Sequence, residues 1–462
     1  MSNLDHKPNI ELPVSFETLV QHSIPAYKEA LLATIKENKP PVSIRLHPFK
    51  YPGLNNMENR VPWCEYGQYL EERPVFTLDP LFHAGAYYVQ EASSMILYTV
   101  LKSLPLKESP RILDLCAAPG GKSTLILDFL KGKGHLVANE VIKSRTSVLE
   151  ENLIKWGYNN GVVTQNDPAD FHHLPNHFDV LIIDAPCSGE GMFRKDPASI
   201  KEWSLENVEL CASRQKRILT DALPALNNGG FLVYSTCTYN EKENMENVAF
   251  LASEHDLINL SVDGVEALGA VELSYQDFKG YQMIPGKVKG EGYFFALFKK
   301  KSGPQMEHRF KSTSRLKKLV KRERSSLTEW FSEEVLDQLL IHENGDVYLF
   351  NETLTVDLEL YLESLKVKYA GIKMGKLVKD VFIPEHALAM SIEKLSKKPE
   401  VELSYHDALR FLQKSLTVVD SKEKSWILLT YQSRPLGWAK NLGNRINNYL
   451  PSHLRIHMDI NR

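Results

Sequence analysis

The sequence predicts an α/β protein built on a doubly wound sheet of parallel strands. Three observations point there. From Arg111 onward, short apolar runs alternate with segments of helical periodicity. A loop of small residues, Cys116-Ala117-Ala118-Pro119-Gly120-Gly121-Lys122, separates the first such run from the first such helix. Four acids, Asp114, Glu140, Asp167 and Asp184, stand at or just past the ends of the first four runs. Alternating strands and helices imply parallel strands joined by right-handed crossovers, and such a sheet binds its ligand beyond the carboxyl ends of its strands.

Taken in order, residues 1–105 form an N-terminal α+β block. Residues 15–36 have helical spacing interrupted by Pro25, 42–46 read as a strand, 48–62 are loop-rich, and an aromatic stretch runs to Tyr88. Residues 91–102 carry Ala92, Met95, Ile96 and Val100 on one helical face, and Pro105 and Pro110 close the block. Residues 106–300 hold the alternating pattern. Strands are expected at 111–115, 135–139, 162–165, 180–183, 231–235 and 293–298, and helices at 122–131, 142–157, 205–226 and 241–253. Residues 301–325 read as a basic linker. Residues 326–395 form an intermediate C-terminal domain with a helix at 327–340 and a strand at 347–350. Residues 396–462 form a small β-rich domain with a helix at 405–414 and strands at 426–431 and 437–440.

Composition narrows the class. With 462 residues, two to four domains are expected. A chain 43% hydrophobic and 24% charged is an ordinary folded globular one. No apolar run approaches the length of a membrane span, and residues 1–13 lack the apolar stretch of a signal peptide. The five cysteines, Cys64, Cys116, Cys187, Cys211 and Cys237, are odd in number and form no C-x-x-C pair. That argues for reduced thiols in a cytoplasmic protein. The net charge of −3 hides two basic regions: residues 299–324 hold eleven Lys and Arg against Glu307 and Glu323, and residues 401–462 hold nine against five acids. A basic region in a chain acidic overall suits a polyanion, and a solvated linker would look the same.

The loop after the first strand brings backbone to a ligand. Gly120 and Gly121 allow close approach, and the helix that follows offers free N–H groups. A Walker A loop, and with it an NTPase, is the natural rival. It requires Gly where Cys116 stands, and Pro119 removes an N–H that a phosphate cradle would use. An acid past the second strand, Glu140, is placed for a ribose diol, and Asp167 for an adenine amino group. Four acids in register behind a Gly-rich loop therefore favour a nucleoside cofactor. Cys187, in Asp184-Ala185-Pro186-Cys187, and Cys237, in Ser235-Thr236-Cys237-Thr238, each follow a strand end, so both thiols face that rim. Fifty residues separate them and no His is near either, so no metal site is expected.

Together these motifs resemble the Fmu/Sun family of RNA cytosine-5 methyltransferases, in the branch that modifies small-subunit ribosomal RNA and carries a C-terminal PUA-like domain. The resemblance rests on Cys116 to Ser123, Asn139-Glu140, Arg145, Asn166-Asp167, Asp184 to Pro197, and Tyr234 to Thr238. It returns at Pro435-Leu436-Gly437-Trp438 and Asn444-Arg445. It implies a Rossmann-like S-adenosylmethionine-dependent fold flanked by an N-terminal RNA-binding domain and a PUA-like module, acting as a monomer on RNA. The substrate implied is ribosomal RNA, free or within a ribosomal subunit, with transfer RNA and a non-catalytic role in ribosome assembly as alternatives. The residues at 116–122, with Glu140, Arg145, Asp167 and Asp184, would hold the cofactor, and Asp184 would also serve the base.

The chemistry then needs a thiol. Carbon 5 of cytosine attacks a methyl sulfonium only after a thiolate has added to carbon 6, and the adduct must afterwards lose the carbon-5 proton and expel the thiolate. The residues alone leave the order of the two thiols open, since DNA cytosine-5 methyltransferases attack with the cysteine of Pro-Cys. The resemblance assigns attack to Cys237 and product release to Cys187. The segment Ser43 to Pro48 departs from the family's Arg-x-Asn pattern, which leaves RNA contact there unassigned. Gln90 to Ser94 read as a helix start, Trp156 and Trp203 as packing residues, His172, His173 and His177 as loop residues, and Cys64 and Cys211 as structural thiols.

Overall fold

The computed structural model describes residues 11–51, 53, 58–303 and 316–460. In the N-terminal block, helices Val14–Ser23 and Lys28–Glu37 precede a three-stranded antiparallel sheet of β1 (Val42–Leu46), β2 (Gly67–Leu70) and β3 (Tyr87–Val89), with β1 in the middle. Then come β4 (Arg111–Asp114), β5 (His135–Asn139), β6 (Gly161–Thr164), β7 (Phe178–Asp184), β8 (Leu226–Thr236), β9 (Leu257–Leu260), β10 (Val271–Tyr275), β11 (Phe278–Met283) and β12 (Tyr293–Lys300). Strands β6-β5-β4-β7-β8 lie side by side and parallel. The expected parallel, Rossmann-like core is therefore present. It is extended into a mixed sheet of ten strands: β12 adds antiparallel to β8, β11, β10 and β9 follow it, and a strand at Val367–Ala370 adds antiparallel to β6 at the other edge.

The reason these runs become parallel strands is burial on both faces. Ile112, Leu136, Ala138, Val180, Ile182 and Val233 pack with Leu97, Leu101, Leu125 and Ile126 on one side. Leu113, Val137, Leu181, Ile183 and Leu232 pack with Ile218, Leu219 and Leu251 on the other. A strand with two covered faces reads as a continuous apolar run rather than an alternating one. The strand order reverses between β4 and β7, the switch point at which such sheets open a crevice. The loop of 116–122 follows β4 and the Asp184 loop follows β7.

Outside this core the structure corrects several expectations. The helix expected at 327–340 is two short helices, Lys321–Leu327 and Glu333–Gln338, followed by a strand, Leu340–His342. Ser332 starts the second by accepting from the Val335 N–H at 3.4 Å. The segment read as a basic linker carries the strand Leu316–Lys318 and most of the first helix, while Arg309, Lys311 and Arg315 lie outside the described residues. The intermediate region is joined to the central sheet. Its strand Val367–Ala370 pairs antiparallel with β6, and its helix Glu352–Ser364 buries Leu354, Leu358 and Tyr361 against the same core. Periodicity does not reveal this, because an edge strand four residues long leaves almost no pattern.

The terminal domain is a four-stranded sheet of Glu400–Glu402, Trp426–Tyr431, Arg434–Asn441 and Ile446–Asn448, with helix Tyr405–Leu412 across it. Its Trp438 and Trp426 pack against Trp330 of the intermediate region, so the two share one core. No helix among the described residues is long and apolar enough to cross a membrane.

Candidate active site

Asp114 ends β4 fully buried. Its Oδ2 accepts from Ser123 Oγ at 2.7 Å, and its Oδ1 is buried without a hydrogen-bond partner. Burial pushes its carboxyl up to about 7, with Ser123 and Lys122 opposing. The loop that follows is tied by its carbonyls: Arg145 donates to the Ala118 oxygen at 2.8 Å and Asn152 to the Pro119 oxygen at 2.9 Å. Helix Gly121–Leu130 begins directly after Gly120, whose φ of 112° only glycine adopts without strain. Burial among acids raises the Cys116 thiol, so that side chain is an uncharged part of the loop wall.

The other acids sit around this loop. Glu140 is buried past β5, accepts from the Ile142 N–H at 3.0 Å and faces Arg145 at 3.4 Å. Asp167 caps a short 3-10 helix by accepting from Ala169 N–H at 3.1 Å, and lies 3.5 Å from Arg217. Asp184 ends β7, where Lys122 Nζ donates to its Oδ2 at 2.7 Å and Ser235 Oγ to its Oδ1 at 2.9 Å. Burial works against the Lys122 charge, but attraction to Asp184 carries its pKa above the ordinary lysine value. Tyr88, Glu91, Cys116, Pro119, Lys122 and Asp184 enclose a cleft of about 170 Å³.

Beyond Asp184 the two thiols meet. β7 and β8 are adjacent and parallel, with Asp184 opposite Ser235, so the loops that leave them run side by side. Cys187 Sγ and Cys237 Sγ are 3.0 Å apart. The Cys187 thiol is held well above the ordinary range, first by its hydrogen bond with Cys237 and then by burial. All the residues expected at the rim are thus brought to it, Asp167 and Arg145 at its more exposed edge.

The remaining readings divide. Trp156 and Trp203 are buried, as are Cys64 and Cys211. His172 and His173 lie in the 3-10 helix Pro168–His173, whereas His177 is buried with its Nε2 2.8 Å from Tyr361 Oη. Arg45, in the segment that departs from the family pattern, is wholly buried and donates to Asp128, Gln90 and Thr124. Glu190, Glu243, Gln215 and Asn240 surround the thiol loops; local sequence gives none of them a role, because Glu190, Asn240 and Glu243 follow strand ends like ordinary polar residues and Gln215 lies within the helix Leu205–Ala222. Among the described residues no group of His, Cys, Asp and Glu is arranged to hold a metal ion.

A parallel sheet opening at the β4/β7 switch point, with a Gly-rich loop and a carboxylate rim, defines a Rossmann-like methyltransferase fold. The chain belongs to the 16S rRNA methyltransferase RsmB/F family. The model of that family matches residues 101–299, that of the N-terminal domain of 16S rRNA methyltransferase RsmF residues 12–92, and that of the methyltransferase RsmF PUA domain residues 398–456. The ribosomal RNA small subunit methyltransferase F of Vibrio cholerae is 30% identical over 97% of this chain and 98% of its own length. That of Photobacterium profundum is 31% identical over 85% and 84%. Among solved structures, a methyltransferase homolog protein from Pyrococcus horikoshii is 25% identical with a TM-score of 0.51, covering 61% of this chain and 93% of that one. NSun6 from Pyrococcus horikoshii with SFG shares the fold at 20% identity and a TM-score of 0.52, covering 63% and 99%.

Proposed function

We propose that this protein methylates carbon 5 of a cytosine in small-subunit ribosomal RNA, using S-adenosylmethionine and a covalent adduct through Cys237. The single observation that carries the reading is the pair of thiols 3.0 Å apart beside the Lys122–Asp184 pair, on the loops next to the Gly-rich turn. Family membership, and the relatives named as ribosomal RNA small subunit methyltransferases, support the substrate class. A cytoplasmic location goes with that substrate.

The residues present suit the cofactor. The orphaned Asp114 Oδ1 beneath the loop, and the acids Glu140 and Asp167 past the next two strands, make a rim that favours a cationic, diol-bearing nucleoside. The segment 116–122 with Arg145 would form the wall, Glu140 would take the ribose hydroxyls, Asp167 the adenine amino group, and Asp184 would border the reacting end. S-adenosylmethionine supplies the methyl group when bound.

The chain's own residues do the rest. Cys237 as thiolate adds to carbon 6, forming the S–C6 bond and moving the ring's electron pair to carbon 5. Asp184, held by Lys122 and Ser235, borders N3 and the amino group of the ring and passes a proton to N3, which neutralises the negative charge that reaches the ring as the thiolate adds. After methyl transfer the carbon-5 proton leaves to a base, the C5–C6 double bond re-forms, and the S–C6 bond breaks to return the Cys237 thiolate. Cys187 serves this release. Its sulfur lies 3.0 Å from that of Cys237, within reach of the adduct. A flexible or looped RNA segment must present the base, because a stacked cytosine cannot reach a thiol at the sheet rim.

The test is methyl transfer from labelled S-adenosylmethionine to small-subunit ribosomal RNA, followed by bisulfite mapping. Label at one or a few cytosines is expected. Label on transfer RNA alone, or none with cofactor bound, would contradict the reading.

A further inference from the structure

The two thiol loops are braced by each other's acids. Past β7 the chain runs Pro186-Cys187-Ser188 and on to Glu190; past β8 it runs Cys237-Thr238-Tyr239 and on to Glu243. Glu243 accepts from the Ser188 N–H with both oxygens, at 3.0 and 3.3 Å. Gln215 donates to the Pro186 oxygen at 3.0 Å and to Glu243 at 2.7 Å. The backbone on both sides of Cys187 is thereby fixed.

The reverse grip comes from Glu190. Its carboxylate accepts from the N–H groups of Tyr239 at 2.7 Å and Asn240 at 3.2 Å. The neighbouring Gly191 N–H donates to the Cys237 oxygen at 2.7 Å. A side chain at Gly191 would meet that oxygen at 2.5 Å, so only glycine allows the approach. Asn240 Nδ2 joins the halves by donating to Glu190 at 2.9 Å and to Glu243 at 2.8 Å. Each glutamate thus lies just downstream of one cysteine and grips the backbone just downstream of the other.

Glu190, Glu243, Gln215 and Asn240 are all buried. N–H donors hold both carboxylates: backbone amides, Asn240, for Glu243 Gln215 and, for Glu190, Trp203 at 3.1 Å. Two acids taken out of water with no lysine or arginine among the described residues bonded to them are costly, and apolar packing would fill the same space more cheaply. What apolar residues could not do is accept from the amides that fix the two loops.

We infer that Glu243 and Glu190 are positioning residues, each holding one thiol for its own step: Glu243 sets Cys187 and Glu190 sets Cys237. The pairing follows from the hydrogen bonds. The particular defect expected of each rests on the chemistry proposed above. A thiol displaced by about 1 Å loses on the order of a hundredfold in its step.

The experiment compares Glu243→Gln and Glu190→Gln with Cys187→Ala and Cys237→Ala in the full-length protein. It uses S-adenosylmethionine and small-subunit ribosomal RNA, and reads single-turnover methylation, steady-state turnover and RNA adduct on denaturing gels. A glutamine offers one acceptor where the carboxylate offers two, and turns an NH2 toward fixed donors. Glu243→Gln should copy Cys187→Ala, with methylation retained in the first turnover, adduct accumulating and turnover down on the order of a hundredfold. Glu190→Gln should copy Cys237→Ala, with little adduct and cofactor binding unchanged. Gln215→Met, which removes the donor to Pro186 and Glu243, should repeat the Cys187 pattern more mildly and serves if Glu243→Gln does not fold. Identical defects in the two glutamine variants, or turnover close to wild type in both, would overturn the inference. Should Cys187→Ala trap no adduct, the proposed chemistry falls, yet each glutamate must still reproduce the defect of the cysteine it holds.

Discussion

Replacing Arg45 by methionine tests how the N-terminal sheet is fastened to the helix that follows the loop of 116–122. Arg45 lies on the middle strand β1, wholly buried, and ion-pairs with Asp128 on helix Gly121–Leu130. It also donates to Gln90 Oε1 at 2.8 Å and Thr124 Oγ1 at 2.5 Å, and its guanidinium sits 4.6 Å from the Trp156 ring. Burial lowers its pKa only to about 10, so it stays charged at neutral pH. Methionine fills much of the volume but leaves Asp128 as a buried carboxylate with only Trp156 Nε1 and Tyr158 Oη as donors. Removing one partner of such a pair costs about 3–5 kcal/mol, a large part of the roughly 5–15 kcal/mol that stabilises a typical domain. Urea unfolding followed by tryptophan fluorescence reports this directly, because Trp156 touches both partners. Adding Asp128→Asn to Arg45→Met should recover part of the loss, since the amide oxygen still accepts from Trp156 and the stranded charge is gone. A single-variant cost below about 1 kcal/mol, or a double variant no more stable than Arg45→Met, would show that the buried pair does not fasten the sheet.

Further predictions concern charge. Asp114 holds its proton to about pH 7 in the folded protein but releases it near 4 when unfolded, so wild type loses stability as pH rises through that window. Asp114→Asn should therefore gain on wild type between pH 4 and 7 by a few kcal/mol, measured by melting at each pH without cofactor; a pH-independent difference would contradict it. The exposed Lys424 and Arg445 of the terminal domain should contact phosphate, so changing both to alanine should weaken RNA binding for all sequences and flatten its dependence on log salt by about 2. Identical salt slopes would remove that domain from the phosphate path.

What the sequence made legible is the part of the chain with strong periodicity. The five parallel strands, the loop after β4 and the rim acids follow from two-faced burial and from residue types at strand ends. The meeting of Cys187 and Cys237 was legible only as two loops on one rim; that β7 and β8 are neighbours is what makes it a contact of 3.0 Å. Illegible were features set by long-range packing. Val367–Ala370 completes the sheet from about 200 residues downstream of its partner β6. Part of the charge of the basic segment is met by acids within it and beyond it. Arg322 pairs with Asp380 at 2.6 Å and Arg324 with Asp337 at 2.7 Å, and Lys317 with nearby Glu323 at 3.5 Å. Glu190 and Glu243 are buried by the crossing of two loops, which no local pattern shows.

The claim most in need of measurement is the division of labour between the thiols. Cys187→Ala and Cys237→Ala, each incubated with S-adenosylmethionine and small-subunit ribosomal RNA and run on a denaturing gel, decide it in one experiment. A covalent protein–RNA band is expected with Cys187→Ala, none with Cys237→Ala, and none with the double variant. A band with Cys237→Ala alone would reverse the roles, and no band with either would contradict covalent catalysis.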